Sequence, residues 1–116
     1  MAYVECFAAA VPEENRDAYI AHAALAAKIF KAHGALRVME TWEHEVPDGE
    51  RTSFPLAVQR QAGEKIVVGW VEWPSRAARD TGMEGAMAAM QNEMHGPMPF
   101  DGKRMIFGGF NTIVEA

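Results

Sequence analysis

Twice in this chain an apolar, strand-like run ends at a proline and gives way to a stretch that reads as helix, first at Pro12 and again at Pro74. Proline lacks an amide N–H and has a fixed φ, so it suits the first turn of a helix. Glu13 and Glu14 follow Pro12 and favour the positive end of a helix, while Ser75 follows Pro74 as a cap. The spacing predicts a helix over 13–33, with Tyr19, Ala23, Ala26, Ile29 and Phe30 on its apolar stripe. Lys28, Lys31 and His33 crowd its negative end, and Gly34 supplies the left-handed residue that closes it. A second helix is predicted over 76–94, where Gly96-Pro97-Met98-Pro99 forbids continuation.

Four strands frame these helices. Residues 2–11 are apolar and mostly small. Residues 35–44 alternate, with Leu36, Val38, Glu40 and Trp42 on one side and Arg37, Met39 and Thr41 on the other. Residues 65–73 carry Val67, Val68, Val71 and two tryptophans, and 105–114 contain Gly108-Gly109. Between the second and third strands, Val46-Pro47-Asp48-Gly49 marks a polar loop, and 52–61 reads either as loop or as a short helix through Val58 capped by Thr52-Ser53 and disturbed by Pro55. The order β–α–β–β–α–β predicts an α+β, ferredoxin-like sandwich, one domain over residues 1–116. Its four-stranded antiparallel sheet runs fourth, first, third, second, with both helices on one face. The other face is left bare, which predicts a homodimer.

Composition bounds the function. With 49% hydrophobic and 23% charged residues, the chain holds a core without staples. A net charge of −5 argues against a nucleic-acid partner, which requires a basic face. Cys6 has no partner for an intrachain disulfide and sits in the apolar stretch Val4-Glu5-Cys6-Phe7, as a small buried hydrophobe does. The first residues have no basic cluster, and no apolar run approaches the roughly 20 residues that cross a bilayer. The cytoplasm is the expected compartment.

Several segments carry a family likeness. Trp70-Val71-Glu72-Trp73-Pro74-Ser75 with Arg79-Asp80, and Met98-Pro99-Phe100-Asp101-Gly102-Lys103-Arg104-Met105 with Gly108-Gly109-Phe110, resemble the YbaA-like bacterial family. Ala10-Val11-Pro12 and Arg37-Val38-Met39-Glu40-Thr41-Trp42 fit the same family, so the likeness spans essentially the whole chain. The family is a domain of unknown function placed in the dimeric α/β-barrel superfamily. The resemblance thus implies a ferredoxin-like protomer whose sheet joins a twin's to form a barrel. Superfamily relatives include cofactor-free monooxygenases, haem-degrading enzymes and small-molecule sensors, a breadth that selects no single chemistry.

The candidate site residues are Glu40, Glu72 and His22. If the second and third strands present Glu40 and Glu72 on the same side, they share an apolar-walled cavity with Trp42 and Trp70 at the dimer seam. Such walls raise a carboxylate's pKa toward the range of a general acid or base. The competing reading pairs each acid with Arg37, Arg79 or Arg104 as dimer scaffolding. His22 interrupts the first helix's apolar stripe as a hydrogen-bonded packing residue or as a proton acceptor. Trp42, Trp70, Arg37 and Arg104 are the candidate ligand contacts, and Lys103 with Arg104 also forms a possible anion site. Met83, Met87, Met90 and Met94 share one helical face; they read as a core-facing stripe rather than a soft-metal ladder. Gly82 and Gly85 lower the local stability of that helix. No cofactor or metal is expected. The readings that remain are a small-molecule binder, a cofactor-free monooxygenase- or isomerase-like enzyme using a buried carboxylate, and a structural or stress-related dimer.

Overall fold

The computed structural model describes all residues from Met1 to Ala116. Its central strand β1, Tyr3–Pro12, has neighbours on both sides. β2 is Arg37–Glu40, β3 is Glu64–Trp73 and β4 is Ile106–Asn111. They form one sheet in the order β2-β3-β1-β4, and every pairing is antiparallel. This is the strand order that the sequence predicts.

Local chemistry explains the element boundaries. The Glu13 amide donates to Gly63 O at 2.9 Å, and the chain enters its helix through one tight 3-10 turn, Glu13–Asn15, instead of a full α-turn. Helix α1 then runs Arg16–Ala32 and ends where Gly34 takes φ +106. The short helix α2, Phe54–Ala57, starts where Ser53 Oγ accepts from the Leu56 amide. Pro55 is compatible with it because the first helical turn needs no intrahelical N–H. Helix α3, Arg76–Glu93, begins likewise with Ser75 Oγ accepting from Ala78 N at 3.0 Å.

The second strand is shorter than the predicted 35–44, but its pairing outlasts its regular geometry. The Thr41 and Glu43 amides still donate to Val68 O and Ile66 O, at 3.0 and 2.8 Å. Glu43 Oε1 also accepts from Ile66 N while its carboxylate holds Arg60 at 3.1 Å. This side chain binds the connection between β2 and α2 to the sheet. The last strand is likewise shorter than 105–114.

Strand alternation sorts the core onto two faces. Toward α1 and α3 lie Ala9, Val11, Tyr19, Ala23 and Val67, with Ala35, Val71 and Trp73 as a second cluster. On the opposite face Ala8, Ala10 and Ile66 pack beneath Val58. That face is therefore covered at one end by the connection between β2 and β3, not wholly bare. Around its uncovered part Phe54, Ile106 and Phe110 stay exposed.

Gly82 and Gly85 seat α3 instead of loosening it. A Cβ on Gly82 would lie 2.3 Å from the Trp73 ring and 2.6 Å from His33 O, and one on Gly85 would lie 2.5 Å from the His33 ring. Alanine has the better helix propensity by about 1 kcal/mol, but overpacking a fixed indole and a carbonyl costs more. Gly82→Ala is expected to lose about 1–3 kcal/mol of stability in urea unfolding. A stabilised variant would show that α3 is free to slide on Trp73.

Candidate functional site

The helix layer does not close on the sheet. α1 faces it with alanines, whose methyl groups fill little space, and α3 faces it with Met83, Met87 and Met90. A cavity of about 400 Å³ remains between α1, α3 and the sheet, reaching from Glu40 on β2 to Phe107 on β4. Fourteen of its eighteen lining residues are apolar. The methionine stripe does point inward, but Met83, Met87 and Met90 wall this space rather than fill it. Met94 lies apart, in a surface pocket beside His95. No cluster of three or more His, Cys, Asp or Glu side chains is arranged to hold a metal ion.

The register separates the two proposed acids. Glu40 stands opposite Gly69 and Arg37 opposite Glu72, so Glu40 shares a face with Val38, Trp42 and Val71, whereas Glu72 shares one with Arg37 and Trp70. Glu40 and Trp42 therefore lie under the helices; Glu72 and Trp70 lie on the opposite face. The expectation of one cavity holding all four is overturned. Alternation fixes which residues of one strand share a face, but only the register fixes which face that is. Glu72 accepts from Trp70 Nε1 at 3.1 Å, and Arg37 is exposed beside it.

Glu40 is in no ion pair. Tyr19 Oη donates to its Oε1 at 2.6 Å, and the chain offers its Oε2 no hydrogen bond. Although Glu40 as a residue stays exposed, partial burial of its carboxyl raises its pKa above the ordinary carboxylate range while Tyr19 pulls the other way. Burial and this same bond hold the Tyr19 phenol protonated. Phe100 meets Tyr19 at 5.8 Å and His22 edge-on at 6.4 Å between ring centroids. His22 borders the cavity without a hydrogen bond to the chain, and burial lowers its pKa, so it is neutral at pH 7. Two strands away, the Glu5–Arg79 ion pair also borders the cavity, its charges mutually satisfied. The sequence reading placed Tyr19 only on the apolar stripe. A buried tyrosine needs a partner for its hydroxyl, and that need was the available signal.

Arg104 lies elsewhere. Its guanidinium holds Glu64 in two bonds of 2.8 and 2.7 Å, reaches Asp101 Oδ2 at 3.1 Å and donates to Gln59 O at 2.9 Å. The motif Asp101-Gly102-Lys103-Arg104 thus clamps the entry of β4 to the turn before β3, and its guanidinium is already engaged. The Arg104 hydrogen bonds hold the Glu64 carboxyl below its ordinary value. A depressed carboxylate stabilises the fold above its unfolded pKa of about 4.3. That contribution is lost as pH falls through the lower folded value. Arg104→Gln should cost on the order of 2 kcal/mol at pH 7. It should also flatten the loss of stability below about pH 4, measured by urea titrations at stepped pH.

Comparison with known proteins gives the same architecture. A family model described as protein of unknown function (DUF1428) matches residues 2–102. The uncharacterized protein YbaA of Escherichia coli strain K12, and that of Shigella flexneri, are each 46% identical over 116 residues, covering 99% of both chains. A dimeric ferredoxin-like protein from an uncultured marine organism superposes with TM-score 0.58 at 11% identity, over 99% of this chain and 98% of that one. A mutant of MhuD, solved with two manganese protoporphyrin IX bound per active site, gives 0.55 at 16% identity, over 98% and 97%. At such identities these two structures speak for the ferredoxin-like fold alone. No helix is long and apolar enough to cross a membrane.

Proposed function

The chain belongs to the DUF1428 family, and for a member with this geometry we propose the binding of a small, largely apolar molecule in the cavity between the helices and the sheet. The observation that carries this reading is an apolar space of about 400 Å³ with one unpaired carboxylate, Glu40, whose second oxygen accepts nothing from the protein. Apolar pockets with few convergent polar groups are the common form of small-molecule sites. Methionine sulfur adapts to the outline of a guest and makes favourable contacts with aromatic rings. A ligand of largely apolar surface therefore suits the space, and any hydrogen-bond donor it carries meets Glu40. This places the pocket on the helix side of the sheet, not in the seam between two sheets. The MhuD structure, with its bound porphyrins, supports a ligand-holding role for the fold by analogy only.

N-phenyl-1-naphthylamine, neutral and with one N–H, is a suitable fluorescent probe. It should bind the native chain with enhanced emission and lose at least about tenfold in affinity when Ala26→Phe fills the cavity. Glu40→Gln should weaken binding severalfold without lowering stability, because the amide oxygen still accepts from Tyr19 and the cost of a desolvated charge is removed. Unchanged affinity in Ala26→Phe would refute the pocket.

The same proposal includes a homodimer formed through the opposite sheet face, supported by the dimeric ferredoxin-like structure. Val68, Trp70 and Cys6 line the partly covered centre of that face, with exposed Ile106 (45%) and Phe110 (58%) beside them. A contiguous apolar patch of this kind favours association with a self-complementary surface. Trp70→Asp sets a charge in that seam and should shift the molecule to monomer or aggregate in sedimentation velocity, while a native chain that sediments as a folded monomer contradicts the dimer.

A further inference from the structure

A second cavity, of about 390 Å³, lies on the other flank of α1, between that helix and β2. The two cavities share three lining residues, Tyr19, Ala23 and Glu40. Their common wall is thus the Ala23 methyl and the buried Tyr19 side chain with its 2.6 Å hydrogen bond to Glu40. Beyond that wall the chemistry changes. Arg16, at the start of α1, borders the second cavity with its guanidinium carbon 5.4 Å from the centre of the Trp42 ring. It takes part in no ion pair. A guanidinium held against an aromatic face keeps its N–H edge free, and that edge suits a carboxylate or similar planar anion. The positive end of the α1 dipole adds to the same preference.

We propose that the two cavities are halves of one site for an elongated amphiphilic acid. Its apolar tail lies among the methionines and its anionic head rests on Arg16 over Trp42. The chain passes the wall by displacing the Tyr19 hydroxyl from Glu40, which then accepts from any donor the ligand carries. Glu40 borders both cavities, and partial burial raises its carboxyl pKa, which eases the approach of an anionic head. This proposal rests on the binding role of the methionine-lined cavity and goes beyond it in naming the head-group receptor and the ligand class.

The closing experiment separates the two. Dodecanoate and dodecanol share a tail and differ in charge, and each is titrated as a competitor against bound N-phenyl-1-naphthylamine. Dodecanoate should compete about tenfold more strongly than dodecanol, and Arg16→Gln should abolish that difference while leaving dodecanol and the dye unchanged. Ala27→Phe fills only the second cavity, since Ala27 borders that one alone, and should weaken dodecanoate but not the dye. If the dye binds and dodecanoate keeps its advantage in Arg16→Gln, the head-group site is overturned and the cavity reading survives. If neither dye nor acid binds the native chain, both fall. Should dodecanoate bind Ala27→Phe with native affinity, the site does not extend past Tyr19 and the proposal is overturned.

Discussion

Trp73 is where both helices are held to the sheet. Its indole is fully buried at the end of β3, Phe30 of α1 meets it edge-on at 6.2 Å, and α3 lies against it at Gly82. The Trp73 N–H has no hydrogen-bond partner within the chain. The ring is therefore retained for its packing, through dispersion over a large flat surface and exclusion of water. Away from this anchor the layer is made of alanine on α1 and methionine on α3. Small methyls and flexible thioethers do not fill the space that a tryptophan holds open, and the cavity follows from that mismatch.

Two carboxylates show how the surroundings divide structural from chemical work. Glu64 meets a guanidinium in two parallel bonds and takes a backbone amide at 2.7 Å, so its charge is favoured and its carboxyl pKa falls. Glu40 meets a neutral phenol and apolar walls, so its charge is disfavoured and its pKa rises. Position in the sheet decides the difference. Glu64 opens β3 beside the arginine that leads into β4, whereas Glu40 ends β2 beneath α1. The first is satisfied and closes a seam; the second keeps an oxygen available to a guest.

The sheet separates two surfaces of unlike character. Under the helices Glu40, Tyr19 and His22 border apolar space. On the other side, Val58 caps one end and leaves apolar side chains showing at the other. Because successive residues of a strand point to opposite faces, β3 supplies Val71 to the cavity and Trp70 to the open face from adjacent positions. The proposed ligand site and the proposed dimer seam are thus one residue apart in sequence and a sheet's thickness apart in space.

Element order, both serine caps and the Gly34 stop follow from local signals, because propensity, capping and hydrophobic period act over a few residues, and the sheet order follows from the β–α–β–β–α–β pattern as a known motif. The family likeness carried by Trp70–Arg79 and Met98–Phe110 is equally a property of the sequence. Pairwise geometry is not. Whether Glu40 and Glu72 meet depends on which face each strand turns to the helices, and a shift of one residue in register reverses the answer. The sequence offers Arg104 as a ligand contact, an anion site or a partner of Glu40 or Glu72, but not of Glu64, which stands forty residues away along the chain and comes into reach only when β4 docks beside β1. Gly82 and Gly85 read locally as weak points in a helix, yet Trp73 and His33 make them contact points. By itself the sequence determined the elements, their order and the apolar stripe of each helix. The tertiary structure decided which acid is paired, which lies open to a cavity and where that cavity forms, because those depend on contacts between residues far apart in the chain.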